Sequence, residues 1–517
     1  MKKSIVFIVG LLLVVLSCKN KKQEKPFERT IENSLLPEFS KSLDSLLFMD
    51  IQDRLSYYKV PGLSLSIIEN DSIVKSKFYG YSDKNLKFKG NVNTMFQSAS
   101  TGKSLTATLV MQLVDEGILD LDTDINQYLK TWKIPENNYN KNEVITLKML
   151  LSHTSGLSTH GFDGYKKTDT LPDIYQILNG IYPANSAKVV SKQKPQAKWN
   201  YSGGGYQVIQ LIIEDVTGRS FVDIATEKLI KPLKLTNTVW QTRLEKKYYP
   251  NVSKEYYKGD QMLEGGWYNL ASNGAGGGLW TTPKDLAKFI ITLNTANYKK
   301  NAIQLSHKSV IEMQTQQAQD KAFGLGLFLD IQDDYTAIYH PGGNMGFRTM
   351  MYYIPKTKQG IVIMANSDNA WYMIPEIMRA ASYVYMWPSY KVKIKEESIV
   401  SNYINEFIRD NDLKKLKSKL NLKPKKDVNK NAIYNELSDF GASQYQIWRM
   451  KESIALFKIN NELFQDSLDT YINLGMAYRR NENYELAKEA FERGMEIDST
   501  DGFLIEKINE MDKKIIH

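Results

Sequence analysis

The chain has 517 residues, 42% of them hydrophobic, and a formal net charge of +9. This length suits about three domains, and the hydrophobic fraction is enough for a sizeable core. Much of the positive charge lies in residues 390–430, which contain twelve Lys and Arg and six Asp and Glu. Because no aromatic stacking platform accompanies that run, it indicates a solvated basic face and argues against a nucleic-acid partner.

Cysteine and histidine residues that could bind a metal are few in this sequence. Cys18 is the only cysteine, which excludes an internal disulfide and a cysteine-based metal site. The histidines show no close ligand spacing such as HExxH; they are His153, His160, His307, His340 and His517. The sequence therefore predicts neither a metal nor another cofactor.

The N-terminus has the pattern of a targeting segment. A basic Lys2-Lys3 pair precedes an apolar run over residues 5–16, which is shorter than the roughly 20 residues that span a bilayer but suits a signal peptide. The run ends in Val-Leu-Ser-Cys, which resembles a bacterial lipobox; the alternative is a cleaved signal or short anchor with an incidental cysteine. We predict a lipoprotein signal peptide over 1–17, lipidation of Cys18, a tether over 18–40, and a membrane-anchored protein on the periplasmic face of a bacterial envelope.

A globular pattern begins near residue 41. Apolar residues at helical spacing predict an amphipathic helix there; they are Leu43, Leu46, Leu47, Ile51 and Leu55. Period-two alternation predicts a strand over 63–68 with a return strand over 72–81, and further strands over 324–331, 348–354 and 360–364. Strands at both ends with helices between them predict an α+β domain whose sheet takes strands from both ends of the segment.

Two helix starts can be located in the second half of this domain. Thr282 suits an N-cap, Pro283 the first helical position, and Asp285 the third position of a capping box. Residues 375–386 are predicted to form the closing helix, with Pro375 in its first turn.

The composition changes after Pro388. Residues 389–430 are predicted to be a basic linker with one amphipathic helix, over 399–408. From residue 431 a 34-residue period resembles tetratricopeptide repeats, with Gly441 and Phe457 recurring as Gly475 and Phe491. Because about three repeats are usually needed for independent stability, we expect this small all-α repeat domain (431–517) to dock on the preceding domain or on a partner protein.

The first chemical motif is Ser100-Thr101-Gly102-Lys103, followed by a helical pattern over 105–116. A serine at a helix N-terminus lies in positive potential, and a lysine one turn later shares its face. A partly desolvated lysine has a depressed pKa and can take the serine proton. Alone this spacing is a weak signal, since it occurs by chance in many chains.

Three later segments strengthen the interpretation of Ser100 and Lys103 as a chemical motif. They are Leu-Leu-Ser-His-Thr-Ser-Gly-Leu over 150–157, Tyr201-Ser202-Gly203, and Tyr-His-Pro-Gly-Gly-Asn over 339–344. In order and spacing they resemble the class C β-lactamase and penicillin-binding family of serine hydrolases. The resemblance covers residues 41–388 and implies a β-lactamase/transpeptidase-like fold, with an antiparallel sheet flanked by helices and an all-helical region.

The resemblance also implies roles for single residues. Ser100 is the nucleophile, Lys103 its cationic neighbour, and Tyr201 the phenolic base. The backbone N–H groups of Ser100 and Gly343 are the expected oxyanion hole. Two further residues are expected to act in substrate binding, His340 by hydrogen bonding to a substrate carboxylate or to Tyr201, and Gly342 by letting its strand approach the substrate.

The sequence also departs from the family. Gly203 stands where the family has Asn, and His340 replaces the lysine of its β-lactamases, so an esterase or D-peptidase is favoured over an efficient β-lactamase. His153 is expected to be a scaffold residue rather than a member of a catalytic triad.

Two hypotheses follow. The first is a cell-envelope serine hydrolase that forms a Ser100 acyl-enzyme with a D-amino-acid peptide, ester or β-lactam-like substrate. The second is a catalytically weak penicillin-binding-like or pseudo-hydrolase scaffold that recruits an envelope partner through its repeats. Intact Ser100, Lys103 and Tyr201 favour the first.

Overall fold

The computed structural model describes residues 29–40, 46–270, 274–296, 302–394, 398–421 and 430–516. The predicted signal peptide (1–17), the lipidation residue Cys18 and the first part of the tether lie outside these residues. Residues 29–40 do not behave as a tether. Ile31 and Leu35 are buried in the same core as α1 (Ile51–Tyr57), so the prediction of a tether up to residue 40 is wrong for this end.

The strands of the described residues, in chain order, are β1 (Phe39–Ser40), β2 (Gly62–Glu69), β3 (Ser72–Asp83), β4 (Phe88–Lys89), β5 (Phe96–Gln97), β6 (Val239–Trp240), β7 (Tyr256–Tyr257), β8 (Gln261–Met262), β9 (Leu279–Thr281), β10 (Phe328–Ile331), β11 (Thr336–Asn344), β12 (Phe347–Ile354), β13 (Gln359–Ala365) and β14 (Lys393–Ile394).

The helices that follow α1 are α2 (Gly102–Asp115), α3 (Leu147–Leu151), α4 (Ile174–Asn179), α5 (Gly203–Thr217), α6 (Phe221–Ala225), α7 (Gly274–Gly277), α8 (Pro283–Thr295), α9 (His307–Met313), α10 (Ala370–Val384), α11 (Ile399–Asp410), α12 (Leu413–Asn421), α13 (Lys430–Gln446), α14 (Met450–Leu463), α15 (Leu468–Arg480), α16 (Tyr484–Met495) and α17 (Gly502–Ile516).

The main sheet has the strand order β10-β11-β12-β13-β2-β3-β4, and every neighbouring pair is antiparallel. The early strand β2 pairs with the late strand β13, so the prediction that one sheet takes strands from both ends of the domain is confirmed. The predicted strands all occur, although the one expected over 324–331 is shorter and begins at Phe328.

Both faces of this sheet are buried, because its central strands alternate between two cores. On β13, Ile361 and Ile363 pack with α1 and α10, whereas Val362 and Met364 pack with α2, α5 and α8. This is the period-two geometry of a strand with helices on both sides. The second core includes the helical region that carries the chemical motifs.

Two of the predicted helices begin at other residues than the sequence analysis expected. The first starts at Ile51 because Asp50 caps it, its carboxylate accepting the Gln52 N–H at 2.7 Å. The closing helix starts at Ala370, so Pro375 lies inside it rather than in its first turn.

The predicted start of α8 at Thr282 is confirmed. The Thr282 hydroxyl accepts the Asp285 N–H at 3.2 Å, and Pro283 is the first helical residue. The Asp285 carboxylate does not complete a capping box, since it instead accepts the Asn237 N–H at 2.9 Å and the Thr238 hydroxyl at 3.0 Å.

The described part of residues 389–430 holds two helices, α11 and α12, rather than the single helix that was predicted. Both belong to a packed unit, because Ile404 and Leu416 are buried with Leu437 and Leu456 of the first repeat. The prediction of a linker is therefore wrong here, since the apolar faces of these helices are covered by the repeats.

The repeat region is all-helical, as predicted. Gly441 and Gly475 occupy equivalent crossings, where a Cβ would lie 2.6 Å from the Phe457 ring and 2.4 Å from the Phe491 ring. The 34-residue period thus reflects close helix–helix contacts at which only glycine fits.

The repeats dock on the preceding domain through the turn between α13 and α14. Asn369, at the start of α10, donates to the Ile447 carbonyl at 2.8 Å, and Lys59 donates to the Trp448 carbonyl at 2.8 Å. The Ile447 side chain is buried in the core that contains α1 and α10. In the part of the chain that the structure describes, no helix has the length and apolarity needed to cross a membrane.

Candidate active site

Ser100 lies in a tight turn that leads into α2. The turn over Ala99–Thr101 is a short 3-10 helix, and the Thr101 hydroxyl donates to the Ser98 carbonyl at 2.7 Å. Ala99 has φ +49°, a left-handed conformation that costs a non-glycine residue energy. The fold therefore holds Ser100 in a strained, fixed turn at the beginning of a buried helix.

Lys103 follows one turn later and points back at the serine. Its ammonium nitrogen is 3.3 Å from the Ser100 Oγ and donates to the Gly276 carbonyl at 2.9 Å. Burial lowers the pKa of Lys103 to about 7, since the interior disfavours the charged amine. Near neutral pH a large fraction of this lysine is uncharged and can accept a proton.

Tyr201 lies just before α5, next to the N-cap Ser202, whose hydroxyl accepts the Gly205 N–H at 2.9 Å. Burial raises the pKa of the Tyr201 phenol, and the nearby Ser100 hydroxyl lowers it. The phenol makes no hydrogen bond of ordinary geometry to the described residues, although Lys103 Nζ is 5.1 Å from its ring centre. The structure therefore brings Ser100, Lys103 and Tyr201 together.

His153 supports Tyr201 from behind. The two ring centres are 4.1 Å apart, and His153 Nδ1 accepts the Ser202 N–H at 3.1 Å. Burial, with a contribution from Lys103, lowers the pKa of His153 well below its ordinary value. The ring is a neutral packing surface, which is the scaffold place predicted for it.

A cavity of about 450 Å³ opens in front of these residues. Its wall combines the catalytic motif, a loop over 160–164 and the end of β11 with residues that follow it; the lining residues are Gln97, Ser100, Lys103, His160, Gly161, Phe162, Asp163, Gly164, Tyr201, Glu255, Tyr268, Leu270, Gly343, Asn344, Met345, Arg348 and Trp371. Cavities of this volume accept small molecules.

Gly343 and Ser100 both line this cavity, where the expected oxyanion hole requires them. A Cβ at Gly343 would meet its nearest atom, on Arg348, at 3.4 Å, so this position has ordinary space around it.

His340 and Gly342 do not line the cavity, which corrects the prediction that they bind substrate. His340 is fully buried, and its Nδ1 donates to the Pro341 carbonyl at 2.7 Å. Burial lowers its pKa to about 3, so the ring is neutral and Nε2 carries no proton to offer a carboxylate.

Gly342 is required by a different contact. A Cβ there would lie 2.4 Å from the Ser98 carbonyl oxygen, so the glycine lets β11 approach the turn that carries Ser100 rather than the substrate.

The structure also explains Gly203. A Cβ at this position would lie 2.9 Å from the His160 carbonyl oxygen and 3.2 Å from the Phe162 ring. The loop over 160–164 therefore occupies the space that an asparagine side chain would need.

The sequence did not single out Glu255, Tyr268 or Arg348, which also line the cavity. They come from segments far from the recognised motifs, and no spacing pattern marks them. Only Arg348 had a usable signal, because it begins the strand predicted over 348–354.

Comparison with known proteins gives two family matches. A family described as beta-lactamase matches residues 49–384, and one described as tetratricopeptide repeat matches residues 468–501. Protein flp of Staphylococcus aureus (strain MRSA252) is 26% identical over 375 residues, which cover 72% of this chain and 70% of that protein.

Solved structures with the same fold include an octameric penicillin-binding protein homologue from Pyrococcus abyssi, at 22% identity and a TM-score of 0.52. That match covers 69% of this chain and 80% of the homologue. A D-amino acid amidase from Ochrobactrum anthropi is 22% identical with a TM-score of 0.54, over 65% of this chain and 96% of the amidase. At these identities the likeness establishes the fold.

Proposed function

The chain belongs to the beta-lactamase family, whose model matches residues 49–384, and on that premise we propose that it is a serine hydrolase acting through a Ser100 acyl-enzyme. The proposed substrates are a D-amino-acid peptide, an ester or a β-lactam-like compound. The observation that carries the proposal is the 3.3 Å contact between Ser100 Oγ and a buried lysine whose pKa is lowered to about 7.

In the proposed acylation step, uncharged Lys103 takes the Ser100 proton while Oγ attacks the substrate carbonyl. The N–H groups of Ser100 and Gly343 stabilise the negative charge on the carbonyl oxygen. As the carbonyl–leaving-group bond breaks, the proton passes through Tyr201 to the leaving group. Water then attacks the ester on Ser100 and gives a proton to the same pair, which passes it to Oγ as the carbonyl–Oγ bond breaks, so that the acid and free Ser100 are released.

Among the proposed substrates, an ester or D-amino-acid amide is favoured over a β-lactam. The loop over 160–164 fills the place of the family's asparagine at Gly203, and His340 is buried away from the cavity. One protein with this fold is a D-amino acid amidase, which supports the same choice.

The nucleophile is tested with a fluorophosphonate probe, which reacts with activated serines. We expect the wild type to be labelled once, with the adduct on Ser100, and Ser100→Ala to lose both labelling and ester hydrolysis. Ser98→Ala is the matched control, because its hydroxyl bonds the Ala99 carbonyl at 3.2 Å and does not line the cavity. Labelling of Ser100→Ala, or an adduct on another serine, would contradict the assignment.

A second candidate function is a catalytically weak scaffold that recruits an envelope protein through its repeats. The tetratricopeptide match over 468–501 favours a protein-interaction role for this region. The two functions separate in the probe experiment, since a scaffold without an activated serine stays unlabelled.

The proposed location is the bacterial cell envelope, with Cys18 carrying a lipid anchor. The support is the apolar run that ends in Val-Leu-Ser-Cys at residue 18. Metabolic labelling with an alkyne fatty acid should mark the wild type and leave Cys18→Ala unmarked. Equal labelling of the two proteins would exclude the anchor.

A further inference from the structure

The charges around the cavity limit the substrates it can bind, and this inference rests on the proposed function. The charged side chains at its described wall are Lys103, Asp163, Glu255 and Arg348. Asp163 is exposed on the loop over 160–164, and the three more buried groups can be assigned by what already engages them. The charged side chain that has no partner of opposite charge among the described residues determines which substrate charge the cavity complements.

The two cations are already engaged. Arg348 pairs with Asp368 at 2.7 Å and donates to the Phe347 carbonyl at 2.8 Å. Lys103 contacts Ser100 and is needed there as an uncharged base. His160 also lines the wall, and burial together with Lys103 lowers its pKa, which favours the neutral ring. The Arg348 Nε has no hydrogen-bond partner among the described residues, but it is buried, and a substrate carboxylate would have to compete with Asp368 for this guanidinium.

Glu255 is in the opposite situation. Glu255 is only 1% exposed, and its Oε2 accepts the Tyr268 N–H at 3.2 Å. Its Oε1 has no hydrogen-bond partner among the described residues, although Glu255 borders the cavity. A carboxyl oxygen that borders the cavity without a partner is available to accept a hydrogen bond from a ligand.

The Glu255 carboxyl is also held in place. Its main chain is fixed by bonds of 2.8 Å to the Gly266 carbonyl and from the Leu263 N–H. On its other side, a Cβ at Gly346 would lie 2.2 Å from the Glu255 Cγ, so the glycine gives this side chain its space. The carboxyl is therefore a preorganised element of the cavity wall.

We propose that Glu255 binds the positively charged amino group of the substrate's acyl part. The chain would then hydrolyse amides or esters of amino acids, or of short peptides, that carry a free amino group, rather than removing a residue with a free carboxylate. The volume of about 450 Å³ suits an acyl part of one or two residues.

Burial and the nearby Asp368 raise the pKa of Glu255 well above its ordinary value, whereas Arg348 and the Tyr268 N–H lower it. Without a cationic ligand beside it, the Glu255 carboxyl thus favours the neutral acid. A bound ammonium group would favour the carboxylate, and the carboxyl proton would leave to solvent.

The first experiment uses the full-length wild-type protein and three esters of D-alanine with the same leaving group. One has a free amino group, one is N-acetylated and one is N-succinylated, which adds a carboxylate. We expect kcat/KM to be about tenfold or more higher for the free amine than for the other two. Equal rates, or a preference for the succinylated ester, would overturn the proposal for Glu255. Hydrolysis of these esters would still support the proposed hydrolase function, so the two outcomes are distinguishable.

The second experiment uses Glu255→Gln, which keeps the shape and removes the charge. We expect its KM for the free-amine ester to rise about tenfold or more, and its KM for the N-acetylated ester to rise by a much smaller factor, while fluorophosphonate still labels Ser100. Glu264→Gln, the same change at an exposed side chain, is the matched control. Equal losses for both esters would assign Glu255 a structural role and overturn the proposal. If Glu255→Gln does not fold, the comparison of the three esters with the wild-type protein still tests the proposal.

Discussion

Lys103, His153 and His340 are buried around the serine, and burial lowers the pKa of each. The effect of the lowered pKa depends on what each of these side chains contacts. Lys103 contacts Ser100 and is the proposed base, whereas the two histidines lie behind the wall and stay neutral. At the residue scale, contact with the serine, and not desolvation alone, distinguishes the proposed base from the two histidines.

This difference predicts the pH dependence of the reaction. The lysine must be uncharged to take the serine proton, and its pKa is about 7, so kcat/KM should rise as the pH increases through about 7. His340, with a pKa of about 3, should add no step between pH 5 and 9. The measurement is a pH profile of kcat/KM with an uncharged ester. A flat profile over that range would show that Lys103 is not the base.

At the scale of elements, the site depends on how closely β11 approaches the Ser100 turn. The strand carries two adjacent glycines with different surroundings. A Cβ at Gly342 would lie 2.4 Å from the Ser98 carbonyl oxygen, whereas a Cβ at Gly343 would have its nearest neighbour, an Arg348 nitrogen, at 3.4 Å. The contact at Gly342 is with backbone, which cannot move aside without shifting the turn.

The two glycines therefore predict opposite effects on stability. Gly342→Ala should lower the free energy of unfolding by about 1–3 kcal/mol, because the new methyl group forces the strand away from Ser98. It should also reduce kcat, since the turn carries the nucleophile. Gly343→Ala should change stability by less than about 0.5 kcal/mol. Denaturant unfolding of both variants provides the comparison, and equal stabilities would refute the packing argument.

At the scale of the whole molecule, the repeats are attached to the hydrolase domain by a defined junction. Ile447 fills part of the core beside α1 and α10, and Gln444 donates to the Tyr57 hydroxyl at 3.1 Å. The residues proposed for chemistry all lie within 49–384, on the other side of that junction. Stability and chemistry are therefore expected to separate.

Truncation after Ile394 tests this separation. Removing the repeats uncovers the site of Ile447 and removes the hydrogen bond from Asn369 to the Ile447 carbonyl, so the melting temperature should fall by several degrees. Hydrolysis of a small ester should stay within about threefold of the full-length protein below that temperature. A folded truncation without activity would show that the repeats help to build the site.

The sequence predicted the elements with strong local signals. Thr282 and Pro283 located the start of α8, because capping chemistry is local. It misplaced the start of α10 because it took Pro375 as a first-turn signal, although the helix continues through that residue. It missed the packing of residues 31–36 because short apolar segments do not reveal what they pack against.

For the site, the sequence by itself predicted Ser100, Lys103 and Tyr201 from motifs of fixed spacing, and the structure brings these three residues together. It also determined the two-part architecture through hydrophobic periodicity and the 34-residue repeat. Only the tertiary structure decided that His340 and Gly342 lie behind the cavity wall and that Glu255 lies in it. The physical reason is that burial and charge pairing arise from segments far apart in the chain, and no local pattern records which groups will share one desolvated space.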